Sequence, residues 1–217
     1  MGALTEHTPK PMLVVAGKNL IEHKLAALPA DVDEVIFVVG YLGEVIKDFF
    51  GNSYDGKHIR YVEQKNIVGG TADALWSAQG MLHDRFIVMM GDDIYSKEDI
   101  VSCVSQSEWC QLVQRMDDIR SGGKISLDAS GTIIDVVEGG DGRGEGYMGT
   151  NLFVLDDRVF LQEPVPKAPG SSELGLPQTV LAAARTQGIR FTAVPATSWI
   201  QITAPEDIAA AEAQLSH

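Results

Sequence analysis

The sequence predicts an α/β fold of three layers, with helices on both faces of a mostly parallel central sheet. Three observations predict it. The runs Val35-Ile36-Phe37-Val38-Val39 and Phe86-Ile87-Val88-Met89-Met90 are short, continuous and apolar, as strands covered on both faces are. Helical patterns fall before and between them at 18–28, 42–50 and 71–82, and in the last Leu75, Ala78 and Leu82 share one face. A strand-like Ile59-Arg60-Tyr61-Val62 separates the second pattern from the third.

Beyond Ser107 the pattern changes. Residues 110–116 read as a strand. Lys124-Ile125-Ser126-Leu127 and 132–137 alternate across the turn Asp128-Ala129-Ser130-Gly131, which predicts a hairpin. Five glycines in the eight residues 139–146 make a loop, 147–155 a strand, 174–187 a helix and 191–195 a strand. Pro205 opens a closing helix with Glu206 and Asp207 in its first turn, where the dipole favours acids. Ala204 stands at its cap, which predicts a loss of about 0.5–2 kcal/mol against Ser or Thr. No repeat, low-complexity block or long linker divides the chain, so residues 1–217 are read as a single domain.

The 17 Lys and Arg against 30 Asp and Glu give a formal charge of −13, which argues against a nucleic-acid binder. Anionic ligands must then be met by local cations and backbone N–H groups. Cys103 and Cys110 cannot form a disulfide framework and are read as reduced thiols. No apolar run approaches a membrane span, and the amino terminus lacks the layout of a secretion signal. A cytoplasmic location is expected. His7, His23, His58, His83 and His217 show no metal-ligand spacing.

The chemistry concentrates in a few places. In Thr8-Pro9-Lys10-Pro11 two prolines bracket Lys10 and are expected to hold its backbone extended. A rigid loop presenting one ammonium suits a phosphate; alone it equally suits an exposed lysine. Gly91-Asp92-Asp93 follows a strand, where a carboxylate can ligate Mg²⁺ or simply start a turn. Gly69-Gly70-Thr71 lets backbone approach a ligand at a helix start, or serves as a plain helix entry.

Taken together these segments resemble one family. Thr8-Pro9-Lys10-Pro11-Met12-Leu13, Val15-Ala16-Gly17-Lys18, Gly70-Thr71-Ala72-Asp73-Ala74-Leu75, Gly91-Asp92-Asp93, Val136-Val137-Glu138 and Trp199 through Pro205-Glu206-Asp207-Ile208 stand in the order of the sugar-1-phosphate nucleotidylyltransferases. The resemblance implies a Rossmann-like, GT-A-like nucleotidyltransferase fold. It implies transfer of a nucleotidyl group from a nucleoside triphosphate to a sugar-1-phosphate or similar phosphorylated alcohol, with Mg²⁺. It gives Lys10 and Asp92 the catalytic roles, with Asp92 and Gln201 at the metal. Gln64, Gly69, Gly70 and Thr71 fall to the nucleotide, Gln64 through its amide, and Gly123, Glu138 and Asn151 to the sugar.

Three departures qualify the match. The family opens with a strand and a Gly-rich loop ending Gly-x-Gly-Thr-Arg. This chain starts after that point, so it reads as N-terminally truncated, with Met1 expected to be an internal methionine. Unpaired sheet edges would then leave homo-oligomerisation open. The family's closing aspartate is here Gln201, and the lysine after Glu138 is Gly139, for which Arg143 is a candidate replacement. Two alternatives follow: a degenerate relative that binds nucleotide or sugar phosphate without turnover, and a metal-dependent glycosyltransferase, which would have no need of Lys10.

Overall fold

The computed structural model describes residues 2–119, 122–138 and 144–215. A small ribbon, β1 (Val14–Val15) with β2 (Lys18–Asn19), leads into α1 (Leu20–Ala27). Asn19 caps α1: its side chain accepts the Glu22 N–H while Glu22 accepts the Asn19 N–H. Then come β3 (Glu34–Val39), α2 (Gly43–Phe50), β4 (Ser53–Tyr54), β5 (Lys57–Glu63), α3 (Gly70–Ser77) and β6 (Arg85–Val88). The helix expected over 71–82 ends at Ser77, and a 3-10 turn, Gln79–Met81, finishes it around Gly80, a poor helix former.

β7 (Asp93–Tyr95), α4 (Lys97–Val104), β8 (Trp109–Met116), β9 (Gly123–Leu127), β10 (Ile133–Glu138) and β11 (Gly146–Asp156) follow. The chain closes with α5 (Leu176–Gln187), β12 (Phe191–Pro195), β13 (Trp199–Gln201) and α6 (Pro205–Leu215).

The larger sheet runs β10-β9-β11-β8-β12, with β6 also on β11; the smaller runs β3-β5-β4. The expectation of a mostly parallel sheet is corrected here. Only β3 with β5 and β8 with β12 are parallel among the described pairs, and β11 runs antiparallel to β6, β8 and β9. The reason lies in the connections. β9 and β10 form a hairpin, and β11 returns beside β9, so neither step uses the long crossover that parallel neighbours need. Continuous apolar runs report burial on two faces, not strand direction.

Alternation along β8 and β11 splits the core. Trp109, Val113, Phe153 and Leu155 meet Val180 and Ala183 of α5 on one face. Cys110, Leu112, Leu152 and Val154 meet Ile100 and Cys103 of α4 on the other. Both cysteines are free and buried.

The two sheets do not join. β3 pairs with β5 and β6 with β11, and their other edges border one cavity of about 680 Å³. Val35, Phe37, Phe86 and Val88 line it between Ile21 and Leu25 of α1 and Ala74 and Leu75 of α3. At the carboxyl end, the missing cap at Ala204 is made good from the other side. The Asp207 carboxylate accepts the N–H groups of Thr203 and Ala204 and the Thr203 hydroxyl, at 2.6, 2.7 and 2.8 Å.

Candidate active site

The segment from Pro9 to Met12 crosses the tip of β6. Lys10 is not extended as expected but starts a 3-10 turn, Lys10–Met12, closed by Met12 N–H on the Pro9 carbonyl at 2.8 Å. The Pro11 ring pre-sets that turn and packs directly on Gly91. The turn delivers the Lys10 ammonium to the Asp92 carboxylate, Nζ to Oδ2 2.6 Å, with both side chains about a third exposed at 28% and 32%.

β13 lies antiparallel to β7 with Gln201 opposite Asp93, and Ile202 N–H donates to the Asp92 carbonyl at 3.1 Å. Backbone pairing thereby sets Gln201 beside the Gly91-Asp92-Asp93 segment that carries the Lys10–Asp92 pair. Asp93 does not share their exposure. It is fully buried, accepts from Tyr95 Oη at 3.0 Å and keeps Oδ1 without a partner. Burial, reinforced by neighbouring Asp92, pushes its carboxyl up to about 7.

Beneath the tip stands a residue that sequence reasoning passed over. Lys24 of α1 is buried and donates to the carbonyls of Gly91 and Asp93. Burial pulls its ammonium down to about 8, opposed by Asp93 and Asp92. A signal existed: Leu20, Ile21, Lys24 and Leu25 fall on one helix face, so a cation occupies a core position.

A second group forms at the start of α3. Gly70 needs its freedom: φ is +89°, and a Cβ there would lie 2.5 Å from the Leu174 carbonyl. Gly69 O accepts Leu174 N–H, Ala72 N–H donates to Leu174 O, and the Thr71 hydroxyl accepts Leu176 N–H. The Gln64 NH₂ is spent on Asn66 O, Gly70 O and the Asp73 carboxylate, and its carbonyl oxygen takes no part in these bonds.

A third group gathers around β9, β10 and α5. Glu138 pairs with Gly123 across the hairpin, so close that a Cβ on Gly123 would stand 2.9 Å from its Oε1. Burial raises the Glu138 carboxyl, against the Lys167 ammonium that holds it down. Lys167 was also missed, because its approach to Glu138 depends on the path of residues 162–175. Asn151 adopts a left-handed backbone, φ +58°, at the β11 bulge between Gly149 and Phe153. Gly139 and Arg143 lie outside the described residues.

The first two groups sit beyond the carboxyl ends of β3, β5 and β6, and Leu174 ties the second to the segment carrying the third. Ligands of open α/β sheets bind at such ends. Among the described residues no three His, Cys, Asp or Glu side chains group closely enough to hold a metal alone. The donors fit Mg²⁺ in another way. One hard carboxylate at Asp92 and an amide carbonyl at Gln201 suit an ion that keeps waters and takes substrate phosphates.

No family model matches the chain. It is 29% identical over 157 residues, 72% of its length, to the bifunctional protein GlmU of Methanocaldococcus jannaschii, of which it covers 37%. The chain thus spans about two fifths of the length of the curated relatives it matches first. It is 26% identical over 222 residues to the UTP–glucose-1-phosphate uridylyltransferase AglF of Haloferax volcanii, covering 98% of this chain and 90% of that one. The fold is that of the inositol-1-phosphate CTP transferase from T. maritima, at TM-score 0.74 and 18% identity, over 99% of this chain and 90% of that one.

Proposed function

Because the chain belongs to the sugar-phosphate nucleotidyltransferase family, we propose that it moves a nucleotidyl group from a nucleoside triphosphate to a sugar-1-phosphate or similar phosphorylated alcohol. The products are the nucleotide-activated alcohol and pyrophosphate. The observation that carries this reading is the 2.6 Å approach of the Lys10 ammonium to the Asp92 carboxylate at the strand tip. A cation and a hard anionic donor at one exposed point are what two polyanions need in order to meet.

An oxygen of the acceptor phosphate attacks the α-phosphorus in line, and pyrophosphate leaves. The nucleophile is already ionised, so no side chain need act as a base. Catalysis comes down to placing two substrates and neutralising charge. In the free chain Lys10 is neutralised by Asp92, and incoming phosphate competes for its ammonium. Asp92 and Gln201 would hold Mg²⁺, which supplies charge neutralisation at the phosphates. Gln64 offers its carbonyl oxygen to the base, and Gly69, Gly70 and Thr71 border the nucleotide. Glu138, Gly123 and Asn151 face the alcohol, whose hydroxyls suit a half-buried carboxylate.

A cytoplasmic site of action and a homo-oligomer belong to the same proposal. No described helix is long and apolar enough to cross a membrane.

Pyrophosphate release, measured with five nucleoside triphosphates against common sugar-1-phosphates, tests the reading. Turnover of one pair, lost on removal of Mg²⁺, is expected. Gln201 favours a second reading, a relative that binds without turnover, since an amide brings no charge to the metal. Saturable nucleotide binding with no pyrophosphate from any pair, also in a form extended by the upstream codons, would establish that reading instead.

A further inference from the structure

The path of the chain between β6 and β7 is not held by sheet pairing. β6 ends at Val88 and β7 begins at Asp93, so residues 89–92 rely on other contacts. Three carbonyls in a row are bound by groups from distant elements. The Lys24 ammonium donates to Gly91 O at 3.0 Å and to Asp93 O at 2.6 Å. Ile202 N–H takes the carbonyl between them, Asp92 O, at 3.1 Å. Behind this row, Tyr95 Oη bridges the Asp93 carboxylate and the Thr150 carbonyl at 3.0 and 2.8 Å.

Lys24 sits at a core position of α1 and is 6% exposed. An apolar side chain there would pack without the cost of desolvating a charge. The ammonium does what no apolar group can do: it bonds the carbonyls before Asp92 and after Asp93, and with Ile202 N–H on the carbonyl between them it restricts the rotation of both residues. Of the two, Asp92 carries the carboxylate that leaves the turn on the exposed side towards Lys10.

We propose that Lys24 is a positioning residue that aims the Asp92 carboxylate by bridging the Gly91 and Asp93 carbonyls from below. The inference rests on the reading of Asp92 as a metal ligand. Lys24 touches neither substrate nor metal and acts through the backbone of the turn. A supporting shell of this kind is worth 10- to 100-fold in metal affinity where it has been removed from other sites.

The test uses the full chain with Lys24→Met, Lys24→Gln and Asp92→Asn, each checked for fold by far-ultraviolet circular dichroism. One reading is amide hydrogen exchange at Ile202, compared with Val113 in the distant sheet. The other is Mn²⁺ affinity by electron paramagnetic resonance, without substrates. Lys24→Met should speed exchange at Ile202 about tenfold while leaving Val113 unchanged, and should weaken Mn²⁺ about tenfold. Lys24→Gln, which keeps one donor, should fall between Lys24→Met and the parent, and it decides the matter if Lys24→Met does not fold. Unchanged Ile202 exchange, or parent-like Mn²⁺ affinity in the Lys24 variants while Asp92→Asn loses the ion, overturns the inference. Unaltered Mn²⁺ binding in Asp92→Asn removes the metal reading itself and the inference with it, so the two failures are told apart.

Discussion

β6 borders two regions built on opposite terms. Beyond its carboxyl end, polar contacts converge on a few residues: Lys10 on Asp92, Lys24 on two carbonyls, Ile202 on a third. Along its length, the edge facing β3 borders an apolar cavity of about 680 Å³. The first region is over-determined and the second under-filled. The contrast teaches that the site does not borrow its order from a continuous sheet. Helix α1, the amino-terminal turn and β13 hold the strand tip in place of a neighbouring strand.

The largest expected effect breaks the polar region directly. Lys10→Ala should lower turnover about 10²–10³-fold, the scale of removing one group that meets developing charge, with the melting temperature unchanged. Pyrophosphate release read beside a thermal melt checks both halves. A variant that turns over normally would take the phosphate role away from Lys10.

Urea unfolding compares the apolar side of the contrast. Phe153, fully buried in the larger sheet, should cost about 3–5 kcal/mol on replacement by Ala. Phe86 borders the cavity and stacks on Phe160 at 5.9 Å between ring centres. Phe86→Ala should cost only about 1–2 kcal/mol, since less of its surface leaves water. Equal costs would mean that the gap closes in solution and that the two regions are not different in kind.

A smaller effect sharpens the boundary between them. The Asp93 carboxyl titrates at about 7 in the fold and near 3.8 when unfolded. Between those values the folded state holds more protons than the unfolded one. Its contribution is therefore complete at low pH and is lost as pH rises through about 7. In the metal-free chain, stability should fall by about 2–4 kcal/mol from pH 4 to pH 7 on this account. Asp93→Asn should flatten that slope in urea titrations at several pH values; an unaltered slope would place its origin elsewhere.

The smallest effect lies at α6. Because Asp207 already takes the N–H groups of Thr203 and Ala204, Ala204→Ser should raise stability by less than about 0.5 kcal/mol. A gain near 2 kcal/mol by thermal melting would show that the reach of Asp207 does not replace a cap.

Much of this molecule is written locally. Strand runs at 35–39 and 86–90 come from their continuous apolar residues, the α1 start from Asn19 and Glu22, and the 128–131 turn from its Asp, Ser and Gly, where Asp128 Oδ1 accepts the Ser130 and Thr132 N–H groups. Lys10 and Asp92 could be singled out because the segments around them stand in a known family's order, and that resemblance implies a phosphate and a metal there. What stayed hidden depends on neighbours distant in sequence. Hydrophobicity records that β11 is covered but not which way it runs, because strand sense is set by connections. Lys24 reads as a stray charge until the tip of β6 is seen above it, 67 residues along the chain from its first carbonyl partner. Local sequence thus determined the elements and the reactive groups. Tertiary structure alone decided the mixed sheet, the gap and the buried cation, since each is a relation between segments that no short stretch contains.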